Sequence, residues 1–158
     1  MVLMAWATHA TPGFLSAGCL LVAMGIVVRI VAAGCIRKNH ELAMSGPYAS
    51  VRHPLYLGNL LVLAGFALGT QSLLWPVLVV LFAWLYYPPA IRYEDAKLER
   101  MFGEDWRSWS QRTPALLPRS VQFSTGAGCS WGLQQAMLEN GELLIAAFIG
   151  ANEVIAWI

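Results

Sequence analysis

Charge is what this sequence has least of. Only 12% of its 158 residues are Asp, Glu, Lys or Arg, against 58% hydrophobic, too few to coat an ordinary water-soluble globule. A mean hydropathy of +0.56 points the same way, so a lipid bilayer is the expected solvent and partner. A net charge of +1 supplies none of the basic footprint that nucleic acid requires, and no such partner is expected. The three cysteines, Cys19, Cys35 and Cys129, are odd in number and lack metal-ligand spacing, so neither a disulfide nor a metal site is expected. No Lys or Arg precedes the first apolar run, and that run is longer than a signal-peptide core; it is expected to be a retained helix.

What is present is a series of apolar segments. Phe14 to Ile36 forms a run long enough to cross a bilayer, interrupted only by Arg29, and shorter runs follow at Leu55 to Thr70 and Leu73 to Ala90. Every Lys and Arg except Arg29 lies within Arg37 to Arg52 or Arg92 to Arg119, which places both segments in the cytoplasm by the positive-inside rule. The expected topology is an outside N-terminus, an inward first helix, a tight helical hairpin and a long cytoplasmic stretch. Gly58, Gly65 and Gly69 in the second helix permit close helix approach in the hairpin. Pro88-Pro89 predicts the end or a sharp kink of the third helix, followed by a separate polar helix over Ile91 to Phe102 capped by Gly103. Trp106 and Trp109 suggest a short helix at headgroup level. After the Gly- and Ser-rich loop Ser120 to Gly132, a last apolar stretch, Leu143 to Ile158, is a candidate span that carries Asn152 and Glu153.

The expected fold is therefore all-α: a polytopic membrane helical bundle of about three to four transmembrane helices, with a helical hairpin and a C-terminal cytoplasmic amphipathic helix. It reads as a single domain over 1–158, with its motifs in 25–119 and a separate tail in 120–158.

Two polar blocks carry chemistry. The first runs from Gly46-Pro47-Tyr48 through Arg52-His53-Pro54-Leu55-Tyr56-Leu57-Gly58-Asn59. It combines a turn, a cation beside an imidazole, and a proline at the first position of a helix, where its missing donor costs nothing. Tyr56 and Asn59, three apart, share a helix face below that cluster, so Asn59 is placed to hydrogen-bond a ligand. Arg52 and His53 fit a headgroup anchor equally well. The second block is Arg92-Tyr93-Glu94-Asp95. Adjacent helical carboxylates point about 100° apart, so one can receive a ligand's ammonium or ribose hydroxyl while the other pairs with a cation such as Arg52 or Arg92. A solvated charged face is the plainer alternative.

Taken together, in order and around one hairpin, these blocks resemble the isoprenylcysteine carboxyl methyltransferase family and, more broadly, the membrane methyltransferases that include phosphatidylethanolamine N-methyltransferases. The resemblance rests on Gly46-Pro47-Tyr48, Arg52-His53-Pro54-Leu55-Tyr56-Leu57-Gly58, Glu94-Asp95, Phe102-Gly103-Glu104-Asp105-Trp106 and Pro114 to Pro118, and covers about Gly25 to Arg119. Two departures stand out: Asp95 replaces a second glutamate, and Trp106 and Trp109 replace tyrosines. The resemblance implies S-adenosylmethionine as methyl donor, bound between the two blocks without a Rossmann fold, in keeping with the lack of a strand leading into Gly-x-Gly-x-x-Gly. The implied donor ligands are Tyr48, His53, Tyr56, Gly58, Asn59, Glu94 and Asp95. The acceptor is a lipophilic small molecule or lipidated group. For a carboxylate acceptor, Arg52 is the positioning cation and Arg92 the second candidate; for an amine acceptor, His53 or Glu94 would serve as base. A non-catalytic anchor or scaffold would explain the helices but not the ordered polar clusters. A transporter subunit would need ionisable residues deep in the spans; only Arg29 qualifies, and it lies near enough to the cytoplasmic end of its helix to snorkel.

Overall fold

The computed structural model describes residues 12–37, 40–70, 72–119, 129, 131, 132, 135 and 136. Among these, all regular structure is helical and there is no strand. The elements are α1 (Pro12–Cys35), a 3-10 turn (Pro47–Ala49), α2 (Pro54–Gly69), α3 (Leu74–Phe102) and α4 (Glu104–Arg112). Pro12 and Pro54 open their helices where a missing donor is harmless. Gly103, at φ 54°, ends α3, its N–H reaching the Glu99 carbonyl at 2.8 Å, and α4 starts at the next residue; this left-handed geometry favours glycine. Ser16–Cys35 of α1 and the whole of α3 are long and apolar enough to cross a bilayer, whereas α2 is a shorter apolar helix. The apolar stretch Leu143 to Ile158 and most of the Ser120 to Gly132 loop lie outside the described residues.

α1 and α2 form the central pair, and glycine sets how closely they approach. A Cβ at Gly18 would come within 2.8 Å of the Gly65 carbonyl, and one at Gly25 within 2.6 Å of the Gly58 carbonyl. The two contacts repeat every seven residues in opposite directions, so backbone lies on backbone along an antiparallel seam. Val22 and Val62, with Ile26 and Phe66, fill the space between. This corrects the expected partner of the glycines: Gly58 and Gly65 face α1, not the hairpin neighbour α3. α3 meets α2 at Tyr56 and Tyr87, whose rings lie 5.3 Å apart. Most of its apolar residues, Val77, Val80, Trp84 and Leu85 among them, stand exposed.

Two further expectations are overturned. α3 is one helix of 29 residues that runs through Pro88 and Pro89, so the apolar and polar segments are a single element. Two consecutive prolines remove only the bonds to the Trp84 and Leu85 carbonyls, and the flanking turns carry the helix past this gap, a tolerance common in membrane helices. The second correction is a disulfide between Cys35 and Cys129, with Cα atoms 5.0 Å apart. An odd count of three conceals it, because Cys19 takes no part in the disulfide. Beside this bond the chain is strapped to the end of α1: the Gly132 N–H donates to the Gly34 carbonyl at 3.2 Å, and the Gln135 side chain donates to the Ile36 carbonyl.

Candidate active site

The first block is held in place by the chain beyond α4. The N–H groups of Arg52 and His53 donate to the carbonyls of Pro114 and Ala115 at 2.9 and 3.0 Å. This short ladder stations the His53 ring at the top of α2, facing the part of α3 that carries the acidic pair. Tyr48 is buried in a cluster with Ala32 and Trp109, against which Leu55 and Trp106 pack.

His53 is buried between both carboxylates. Its Nε2 lies 3.0 Å from Asp95 Oδ1 and its Nδ1 3.4 Å from Glu94 Oε2. Only the imidazolium can donate from both nitrogens, so this geometry selects the charged ring. Burial pushes the His53 pKa down, but the hydrogen bonds to Asp95 and Glu94, together with their charges, outweigh it and raise the value above 6.5. The stabilisation is therefore present in full below pH 6.5 and fades as the pH rises through the raised value. The expected result is a melting temperature gap between wild type and His53→Gln that is widest near about pH 6 and narrows toward alkaline pH. A gap that widens with pH would contradict the charged ring.

Arg52 is a hub. Its Nη2 donates to Asp95 Oδ2 at 2.8 Å, and its Nη1 donates to the Ser110 and Thr113 carbonyls at 3.0 and 2.9 Å. The guanidinium also sits 5.9 Å from the centroid of Trp106, within cation–π range. The fork expected to clamp an anionic acceptor is thus engaged inside the protein, tying α3 to the end of α4. Tyr56 stacks on His53 with ring centroids 5.4 Å apart.

These groups border a cavity of about 310 Å³, whose walls include Tyr48, Arg52, His53, Tyr56 and Glu94. Other residues expected at the site lie elsewhere. Gly58 belongs to the α1–α2 seam against Arg29. Asn59 accepts a hydrogen bond from the buried Arg29, which places it in the helix interface. Asp95 is not a wall residue; it backs the wall by holding Arg52 and His53. Arg92 stands exposed outside the cavity lining. Wall residues absent from the expected set include Leu42, Lys97, Leu98, Phe102 and Trp109; of these, Phe102 and Trp109 lie in or beside the Phe-Gly motif.

Apolar helices with an interlocked His–Arg–carboxylate cluster at one end define a helical protein whose polar site is built beside the membrane. Residues 14–105 match the phospholipid methyltransferase family, and the chain belongs to that family. It is 41% identical over 114 residues to the cobalt-zinc-cadmium resistance protein CzcN of Cupriavidus metallidurans, covering 71% of this chain and 52% of that protein. It is 39% identical over 118 residues to the nickel-cobalt-cadmium resistance protein NccN of Alcaligenes xylosoxydans xylosoxydans, covering 73% and 55%. Protein-S-isoprenylcysteine O-methyltransferase of Schizosaccharomyces pombe is 34% identical over 92 residues, covering 56% and 37%. The chain spans about half the length of the first two relatives. No solved structure matches it.

Proposed function

We propose that this chain transfers a methyl group from S-adenosylmethionine to a lipid-like or prenylated carboxylate, or to an amine, at the cytoplasmic face of a membrane. The observation that carries this reading is His53 locked between Glu94 and Asp95 beside the cavity. The proposal includes three to four membrane helices, a single domain over 1–158, and α4 lying at the headgroup level as an amphipathic helix.

The cavity suits such a donor in size. Its volume of about 310 Å³ falls within the range of small-molecule sites, and the Glu94 carboxylate on its wall suits a ligand that carries ammonium and sulfonium charges. Tyr48, Phe102 and Trp109 supply aromatic wall, while His53 holds Glu94. When bound, the donor supplies a methyl carbon on a sulfonium, which needs no acid to leave. The residues of the chain bind, orient and keep water out: Leu42, Leu98 and Phe102 present apolar surface, and exclusion of water sharpens every charge in the site. Arg52 acts here as a positioning residue that holds Asp95 and, through it, His53. Lys97 on the cavity wall and Arg92, exposed on α3 beside the acidic pair, are cations that could meet an anionic acceptor.

S-adenosylhomocysteine is therefore expected to raise the melting temperature of the purified protein, since a ligand bound only by the native state stabilises it by mass action. Glu94→Ala should blunt that rise. A melting curve that saturating ligand leaves unmoved, in detergent and in lipid, would sink the donor assignment. A second reading comes from CzcN and NccN, whose names assign those relatives to divalent-cation resistance. The same methyl transfer here would then serve cation tolerance.

A further inference from the structure

We propose that the Cys35–Cys129 disulfide is a thiol-exchange site that controls the cavity. The bond lies beside the Gly46 turn, where a Cβ on Gly46 would stand 3.1 Å from Cys35 Sγ and 3.8 Å from Cys129 Sγ. That turn leads into Tyr48, a wall of the cavity. Cys35 also packs on the cluster of Ala32, Tyr48 and Trp109, and the last two line the cavity.

The strap held by the bond reaches the wall at a second point. Trp131 sits so close to Gly34 that a Cβ there would fall 2.3 Å from its Cδ1, and the Gln135 amide caps the carbonyl of Ile36, whose residue lines the cavity. The strap lies outside residues 14–105, which carry the family match. The basic segments place this end of α1 on the cytoplasmic side, where cellular thiols hold most cysteines reduced. On the cytoplasmic topology proposed above, a disulfide there is open to exchange with those thiols.

The exchange balances with a cellular thiol as reductant. Its thiolate attacks one sulfur of the pair and forms a mixed disulfide, and a second thiol resolves it. Two thiols leave as their disulfide, and Cys35 and Cys129 each gain one electron and one proton. With the bond open, Cys129 no longer tethers the strap, and the Ile36–Tyr48 side of the cavity loses its support.

The inference rests on the methyl-donor reading of the cavity. Its test is calorimetric titration of the full-length protein with S-adenosylhomocysteine, oxidised and after reduction by a phosphine. The oxidised form should bind about tenfold tighter, a typical coupling between distinct sites. Cys129→Ser should bind like the reduced form and ignore the reductant. Equal affinity in both states overturns the switch and leaves the donor reading intact, as does a reductant effect that persists in Cys129→Ser. Binding in neither state overturns both. Alkylation and mass analysis in a reducing glutathione buffer complete the test: a pair that stays oxidised there is structural, and the proposal fails.

Discussion

Asp95→Asn is expected to lower the proposed methyl transfer by about a hundredfold while leaving the helical content unchanged. Asp95 receives two charge-assisted hydrogen bonds, from Arg52 Nη2 at 2.8 Å and from His53 Nε2 at 3.0 Å. Asparagine keeps the shape but turns an NH2 toward one of those donors. Each such bond contributes about 1.5–3 kcal/mol, and a part-buried donor left unmatched costs a similar amount. Losses of this size, expressed in the transition state, amount to at least about a hundredfold. Arg52→Lys separates positioning from mere charge. Lysine keeps the cation but cannot span Asp95 and the carbonyls of Ser110 and Thr113 at once, so donor affinity should fall together with turnover, by about tenfold. A lysine variant with full activity and affinity would remove Arg52 from the positioning role. Circular dichroism beside the methyl-transfer assay checks that the fold survives.

Gly58→Leu should abolish the folded protein. A Cβ at Gly58 would come within 2.5 Å of Arg29 Cγ and 2.9 Å of the Gly25 carbonyl. The second of these is backbone of α1, which cannot step aside without opening the seam. Overpacking costs about 1–3 kcal/mol where a core can adjust; here the leucine also displaces Arg29 from Leu55 and Asn59. The expected result is loss of the monodisperse peak on size-exclusion chromatography in detergent. Val80→Leu on the exposed side of α3 should elute as wild type. A well-folded Gly58→Leu protein would refute the backbone seam.

How much of this was legible in the residues depended on whether side-chain identity carried the information. The polar blocks could be read because an imidazole, a guanidinium and two carboxylates stand out in an apolar chain. The helix ends could be read from Pro54 and Gly103, whose backbones impose boundaries. The partner of Gly58 and Gly65 could not: small residues announce a close approach, but only the three-dimensional register decides which helix approaches. The occupied fork of Arg52 was equally hidden, because two of its acceptors are the carbonyls of Ser110 and Thr113, and a carbonyl belongs to every residue alike. The continuity of α3 through Pro88-Pro89 escaped for the opposite reason. The local penalty was visible, and the turns that absorb it lie on both sides. Cys35 and Cys129 are separated by 94 positions, and nothing in their spacing pairs them.

The unbroken length of α3 makes it a ruler. At about 1.5 Å per residue, Leu74 and Glu94 are separated by about 30 Å, the thickness of a typical hydrocarbon core. α2, with 16 residues, measures only about 24 Å. One end of the His53–Glu94–Asp95 lock is thus fixed to a long gauge and the other to a short one. The His53 ion pairs with Glu94 and Asp95 bridge the two gauges, so any shift of α3 along α2 would be felt first at the site.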